Sequence, residues 1–142
     1  MSRMIFVNLP VADLPRSVAF YKAIGAEQNL QFSNESGAMM VFSDTIHVML
    51  LTHGFFSTFT PKRIVDAREA SEVLLCISCD DRAAVDEITE QALAAGGREP
   101  RAAQDMGFMY SRSFEDLDGH IWEPMHMDVA AATEAMAQPQ PA

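Results

Sequence analysis

One carboxylate in this sequence, Glu123, combines a chemically useful group with apolar neighbours on one strand face. Ile121 and Met125 flank it at a spacing of two, so the three side chains point to the same side of an extended strand. A carboxylate among apolar groups is a candidate general base or acid. The alternative is a carboxylate held in a structural role by a backbone or arginine partner, and both interpretations stay open.

Two further polar side chains are candidates for contacts with a ligand. Asn8 shares a strand face with Phe6, and its amide could hydrogen-bond a carbonyl or hydroxyl group, or else be satisfied by neighbouring backbone. Arg112 lies in a predicted strand, where it could pair with Glu123, bind an anionic ligand through both prongs of its guanidinium, or point into solvent.

The cysteines and histidines carry weaker signals. Cys76 and Cys79 form a Cys-x-x-Cys motif, but residues three apart in the apolar run 73–79 point to opposite strand faces, so their sulfurs would not converge on one ion. We therefore expect buried, free thiols. His47 and His120 open matching strands and are interpreted as features of the fold.

Aromatic side chains concentrate in the connection between the two halves of the chain. Phe55, Phe56 and Phe59 could close the core, form a lid over a cavity, or make a dimer contact. We take Phe59 as a candidate ligand contact.

These side chains must be positioned by a strand–helix–three-strand pattern that occurs twice. Apolar alternation predicts strands, 3.6-residue spacing predicts helices, and Asp13 and either Asp80 or Asp81 are placed to cap those helices. The predicted strands of the first half are 4–11, 27–33, 37–43 and 46–52. Those of the second half are 72–79, 98–102, 108–114 and 120–127. The connection 53–71 is predicted to hold a short helix near 61–66.

The repeat can be checked position by position. Residues 23–26 match 94–97, residues 42–44 match 114–116, and residues 47–50 match 120–123, at offsets of 71 (94 − 23), 72 (114 − 42) and 73 (120 − 47). The repeat therefore predicts one domain over 1–128, with halves at about 4–52 and 72–127. Residues 129–142 are predicted to be a tail, a short helix followed by a frayed end.

Two segments resemble one known family. Residues 11–21 (VADLPRSVAFY) and 116–123 (DLDGHIWE) are similar to the opening and closing motifs of the vicinal-oxygen-chelate superfamily, which includes glyoxalases, bleomycin-resistance proteins and extradiol dioxygenases. Leu117 stands where that closing motif usually has proline. Residues 6–11, 51–56 and 119–123 resemble the branch called predicted lactoylglutathione lyases. The resemblance implies an α+β fold, two βαβββ modules forming a cupped, partly open mixed sheet around a central cavity.

The resemblance also implies four metal-ligand positions, two in each half. They fall on Phe6, on Leu50 as the mate of Glu123, on one of residues 73–75, and on Glu123 itself. Only Glu123 is a metal-binding side chain, so we expect no metal at this position. The candidate catalytic residue is thus Glu123, and the candidate ligand contacts are Phe6, Asn8, Leu50, Phe59 and Arg112.

Composition restricts the partners. The net charge of −10 disfavours nucleic acid and anionic membranes, and no apolar run is long enough for a membrane span, so a cytoplasmic location is expected. The leading hypothesis is a protein that binds a small organic molecule in an apolar cavity without a cofactor, and the resemblance implies a homodimer. The alternatives are a lyase- or dioxygenase-type enzyme that uses Glu123 with a divalent metal, and a non-catalytic interaction protein.

Overall fold

The computed structural model describes residues 2–137, which form two mixed sheets, each with one helix packed on it. The first half contains β1 (Ile5–Val11), α1 (Leu14–Ala23), β2 (Glu27–Asn29), β3 (Gly37–Val41) and β4 (Ile46–Thr52). A short helix α2 (His53–Phe56) follows. The second half contains β5 (Leu75–Ser78), α3 (Arg82–Ala94), β6 (Gln104–Asp105), β7 (Met109–Ser111), β8 (Phe114–Glu115) and β9 (Ile121–Met127), and α4 (Val129–Ala137) ends the described chain.

The two halves share one topology. The first sheet has the order β1-β4-β3-β2, with β1 parallel to β4, and the second has the order β5-β9-β7-β6, with β5 parallel to β9 and β8 also paired to β9. Both sheets are open. The predicted α+β fold of two βαβββ modules is therefore confirmed. The frayed end predicted for 138–142 lies outside the described residues.

The helices begin and end where local chemistry predicts. The side chain of Asp13 accepts a hydrogen bond from Arg16 N at 3.1 Å, and that of Asp81 accepts one from Ala84 N at 2.7 Å, so both halves use an aspartate N-cap. The helices stop near Gly25 and Gly96, whose φ angles are 104° and 105°. Among residues 2–137 no helix is both long and apolar enough to cross a membrane.

One core joins the halves. Helix α1 packs on β3 and β4, α3 packs on β8 and β9, and the two helices touch each other. Tyr21 of α1 lies against Trp122 of β9, with ring centroids 6.1 Å apart. The Tyr21 hydroxyl donates a hydrogen bond to Asp116 Oδ2 at 2.7 Å and accepts one from Trp122 Nε1 at 2.9 Å, so a buried polar chain crosses the boundary between the halves.

Several strands are shorter than predicted, and prolines explain two of the differences. The strand expected over 98–102 is reduced to one bridge between Arg98 and Glu115, because Pro100 has no N–H to donate to a ladder. The strand expected over 108–114 is interrupted at 112–113, opposite Pro124 of β9, which also lacks an N–H.

The connection between the halves also differs from the prediction. No helix forms over 61–66. The helix lies earlier, at α2, where the Thr52 hydroxyl accepts a hydrogen bond from Phe55 N at 3.3 Å and caps the first turn.

The register of β1 and β4 corrects the position of Leu50. Leu9 pairs with Leu50, and both are buried in the core, whereas Asn8 pairs with Met49 on the opposite, open face. In the second half, Cys76 pairs with Glu123. The two N-caps are 68 residues apart (81 − 13), so Cys76 corresponds to residue 8, and the mate of Glu123 is Met49.

The repeat offset therefore grows along the chain. It is 68 at the N-caps, 71 at the helix ends (96 − 25) and 74 at the last strands (123 − 49). A single residue of error reverses a strand face, which is why a nearly constant offset placed Leu50 on the wrong side. By the same offset His47 corresponds to Ile121, so His47 and His120 are not equivalent positions.

Candidate functional site

A mainly apolar cavity lies between the edge strands of the two sheets. It has a volume of about 310 Å³ and is bounded by β1, β5 and the start of β9, with the loop 60–73 on its outer side; we call it the seam cavity. Most of its lining is apolar. The apolar residues include Leu9, Pro10, Phe56, Ile64, Val65, Val73, Leu75 and Ile121, and the polar ones are Asn8, Thr60, Lys62, Arg63, Ser71, Glu72 and His120.

The loop over the seam cavity is held on the turn that precedes β9. The Arg68 guanidinium donates a hydrogen bond to Leu117 O at 2.6 Å. Gly119 has a φ of 92°, and a Cβ added there would lie 2.7 Å from Arg68 N, so the loop backbone approaches this turn as closely as only glycine allows. The wall of the cavity is thus fixed by a side chain and by a close backbone contact.

The same turn is tied to the first half of the chain. Asp118 accepts a hydrogen bond from Ala12 N at 2.8 Å, and Asp116 Oδ1 accepts one from His120 N at 2.9 Å. These contacts place the start of β9 beside the end of β1. The closing motif found in the sequence therefore positions the cavity, and Leu117, which replaces the usual proline, packs against the core.

His120 is the histidine that lines the seam cavity. Its Nε2 lies 2.8 Å from Pro10 O, and because a carbonyl can only accept, Nε2 must carry the hydrogen. In a neutral ring Nδ1 is then an acceptor. A second, more polar cavity of about 230 Å³ shares His120, Pro10, Ile64, Val65 and Ala67 with the first, so the imidazole stands between two compartments.

Glu123 lies outside the seam cavity, on the open face of the second sheet. Its Oε2 accepts a hydrogen bond from Arg101 at 2.7 Å, and the same guanidinium lies 3.4 Å from the Ser111 hydroxyl. The side chains of Arg101 and Glu123 are 30% and 20% exposed, so the pair is partly shielded from solvent. The arrangement corresponds to the arginine-held alternative and gives the carboxylate a partner already in place.

The structure shows which side chains of this protein lie at the metal-ligand positions of the superfamily that the sequence resembles. They are Phe6, Met49, Leu74 (which matches residue 6 at the offset of 68) and Glu123. Two hydrocarbon groups and a thioether beside one arginine-bound carboxylate do not fit a divalent ion that requires oxygen and nitrogen ligands. Nor does any other cluster of three or more histidine, cysteine, aspartate or glutamate side chains suited to a metal occur within residues 2–137.

The cysteines are free, as expected, but they are less buried than predicted. Cys76 is exposed and Cys79 is half-buried, because β5 is an edge strand with no neighbour on its outer side. Partial burial raises the pKa of the Cys76 thiol, and the nearby Glu123 charge raises it further. Cys76 is therefore a protonated thiol at neutral pH and a poor nucleophile.

Arg112 does not pair with Glu123, does not line the seam cavity and does not point into solvent. Its side chain is 12% exposed and forms ion pairs with Asp86 at 3.2 Å, Glu90 at 2.8 Å and Glu99 at 2.9 Å. The hydrogen bond to Glu99, followed by those to Glu90 and Asp86, raises the pKa of Arg112. The guanidinium joins α3 to the second sheet and is not available to a ligand.

Of the remaining predicted ligand contacts, one lines the seam cavity and three lie elsewhere. Asn8 lines the seam cavity. Phe6 is on the open face of the first sheet, 44% exposed, with its ring stacked 4.5 Å from that of His47. The buried Nδ1 of His47 has no hydrogen-bond partner among residues 2–137. Phe59 packs against Phe55 and is 65% exposed, and Leu50 is inside the core, so neither of these two lines the seam cavity.

Sequence reasoning missed four residues of these sites, namely Lys62, Arg63, Arg101 and His120 in its role as a cavity wall. The first three lie in irregular segments without periodicity. The one available signal was the pair of adjacent cations after Pro61 in a connection otherwise rich in apolar residues.

Comparisons with known proteins agree with this architecture. Residues 3–43 match the family model described as bleomycin resistance protein-like N-terminal. No curated protein is significantly similar to the chain.

Solved structures extend the likeness to most of the chain. A hypothetical protein from S. aureus is 25% identical, with a TM-score of 0.73 over 89% of this chain and 95% of that one. A glyoxalase-related enzyme from Fulvimarina pelagi is 20% identical, with a TM-score of 0.74 over 89% and 88%.

A glyoxalase/bleomycin resistance protein/dioxygenase family enzyme from Burkholderia phytofirmans PsJN is 16% identical, with a TM-score of 0.72 over 89% of this chain and 99% of that one. Structures at these identities are evidence for the fold and not for an activity. The chain therefore has the glyoxalase and bleomycin-resistance fold, and its residues 3–43 match the bleomycin resistance protein-like N-terminal family.

Proposed function

We propose that this protein binds a small organic molecule in the seam cavity and does so without a metal at the superfamily position. The observation that carries the proposal is the cavity itself, about 310 Å³ with a mainly apolar wall. Its volume is at the lower end of the range of roughly 300–1,000 Å³ common for small-molecule pockets. A few polar side chains, among them Asn8 and His120, are available to orient a ligand.

The construction of the cavity supports a pre-formed site. Arg68 and the close approach at Gly119 hold the loop against the second half, and Asp118 holds the same turn against the first. A ligand would therefore meet an ordered wall, which lowers the entropy lost on binding.

Blocking the seam cavity tests the proposal. Ala70 lines the cavity but is exposed, so Ala70→Trp should fill the space without disturbing the core. We expect a ligand-observed NMR screen of small organic molecules to give compounds that bind the wild-type chain and lose at least about tenfold in affinity with this variant.

The matched control is Ala19→Trp, which adds the same ring at an exposed position of α1 away from the cavity. This variant should keep the affinity of every compound. If all compounds that bind do so equally well to the wild type and to Ala70→Trp, the seam cavity is not the binding site.

The proposed absence of metal is tested by metal analysis of untagged protein purified without chelator. We expect less than about 0.1 equivalent of any divalent ion, with no difference between the wild type and Glu123→Ala. The reason is that the side chains at the other three superfamily positions are poor metal ligands and that Glu123 already has an arginine partner. About one equivalent in the wild type that disappears in the variant would reject the proposal and favour a lyase- or dioxygenase-type enzyme.

The two rival functions are thus separated by these measurements. Bound metal would favour the enzyme, including the lactoylglutathione lyase activity of the branch that the sequence resembles. A cavity that binds nothing in the screen would favour the non-catalytic interaction protein. The cytoplasmic location stays an expectation from the sequence.

We also propose a homodimer that covers the open sheet faces. Phe6 of the first sheet and Leu74 beside the second are 44% and 56% exposed, which is a large apolar exposure for groups on sheet faces. Sedimentation velocity should give a dimer at micromolar concentration, and Phe6→Glu should shift it toward the monomer. A wild-type chain that is monomeric at all concentrations would contradict this proposal.

A further inference from the structure

We propose that the ligand of the seam cavity is an organic anion, an apolar body that carries a carboxylate, and that Lys62 and Arg63 bind the carboxylate. This inference rests on the proposed binding function and adds the chemical class of the ligand. It is carried by the charges of the cavity lining and by the arrangement of its polar and apolar groups.

The first observation is that the two cations form no ion pair with the part of the chain that the structure describes. Lys62 and Arg63 both line the cavity, and neither belongs to any of the ion pairs of residues 2–137. By contrast, Arg82, Arg101 and Arg112 are all paired with carboxylates. Lys62 and Arg63 are therefore open to an anionic group of a ligand.

The second observation is the charge balance of the lining. Glu72 is its one carboxylate, so with a neutral His120 the lining has two positive charges and one negative charge. A ligand carboxylate would gain from this excess and could accept a two-pronged hydrogen bond from the Arg63 guanidinium. A ligand ammonium group would be repelled by the same excess.

The third observation is the arrangement of polar and apolar groups. Lys62 and Arg63 are exposed residues of the outer loop, whereas Leu75 and Ile121 are half-buried residues of the strands at the opposite side. An amphipathic molecule fits this arrangement, with its apolar body against the strands and its anionic head toward the loop. A fully polar anion would leave the apolar wall in contact with water and would gain nothing from it.

Three probes with the same alkyl chain test the inference, namely octanoate, octanol and octylamine. Calorimetric titration of the full wild-type chain should show that octanoate binds about tenfold more tightly than octanol, a difference of ~1.4 kcal/mol, and that octylamine binds most weakly. The preference should shrink with added salt, because the two cations are exposed.

Two double variants with the same change in net charge locate the effect. Lys62→Gln/Arg63→Gln should abolish the preference for octanoate while leaving the affinity for octanol unchanged. Arg16→Gln/Lys22→Gln removes two exposed cations of α1, away from the cavity, and should retain the preference.

The outcomes separate this inference from the binding function on which it rests. If octanoate and octanol bind equally, or if the preference survives Lys62→Gln/Arg63→Gln, the inference is wrong although the cavity can still bind ligands. The same holds if none of the three probes binds while other compounds are blocked by Ala70→Trp. If Ala70→Trp weakens no compound at all, the binding function itself fails.

Discussion

Replacement of Tyr21 by phenylalanine is expected to lower the free energy of unfolding by about 3 kcal/mol. The Tyr21 hydroxyl is the shared partner of two buried groups, Asp116 and Trp122, which are 5% and 3% exposed. Burial, and then the charge of Asp116, raises the pKa of Tyr21, so the hydroxyl keeps its proton and donates it. Without this group, a carboxyl oxygen and an indole N–H are buried without a partner.

The loss should depend on pH in a defined direction. Burial raises the pKa of Asp116, and the Tyr21 hydrogen bond opposes that increase, so the variant should raise it further. A carboxyl group with a raised pKa in the folded state contributes stability that is fully present below its unfolded pKa and is lost as pH rises through the folded pKa. The deficit of the variant should therefore be smallest near about pH 4 and should widen as pH rises.

Urea denaturation of wild type and variant across this range measures both effects. The matched control is Tyr110→Phe, which removes another tyrosine-to-aspartate hydrogen bond, 2.6 Å to Asp86, whose side chain is 50% exposed. Solvent can replace that bond, so we expect a loss below about 1 kcal/mol. Equal losses for the two variants would contradict the central role assigned to Tyr21.

Replacement of Gly97 by alanine is expected to destabilise the chain by about 3 kcal/mol or more. A Cβ at this position would lie 2.5 Å from Glu115 O and 2.9 Å from Ala92 O, and neither backbone atom can move freely. Ala92 O accepts the hydrogen bond from Gly97 N at 2.8 Å, and Glu115 N donates to Arg98 O at 2.7 Å. Relief of the overlap would require α3 to separate from the second sheet.

Gly54→Ala is the matched control, because a Cβ added at Gly54 meets nothing within 4 Å and the residue lies inside α2. Alanine is the better helix former, so this change should be neutral or stabilising by up to about 1 kcal/mol. Thermal unfolding of both variants tests the contrast. A Gly97→Ala chain that melts with the wild type would show that the helix and the sheet are not packed as closely as described.

The sequence signals that succeeded are local ones. Asp13 and Asp81 cap their helices because a side-chain oxygen needs only the next backbone N–H groups, and these are set within four residues. The glycine stops are equally local. The role of Gly97, however, is not local, because its lack of a side chain is required by a strand bridge 18 residues later (115 − 97).

The site was less accessible to sequence reasoning. For Glu123, the residues left two interpretations open, and its arginine partner, Arg101, lies 22 residues earlier in an irregular segment. The identification of Arg112 as a ligand contact had the same weakness. Its three carboxylate partners come from α3 and from the segment before β6, and no strand pattern indicates them.

By itself the sequence determined the α+β class, the two repeated halves, the caps of both helices and the motif 116–123 that forms the turn before β9. These depend on periodicity and on contacts between near neighbours, which residue order encodes directly. Only the tertiary structure decided that Met49, rather than Leu50, is the mate of Glu123 and that the loop 60–73 forms the wall of the seam cavity. Both depend on which distant strands pair and where an aperiodic loop rests, and such contacts are set by the packing of the whole chain.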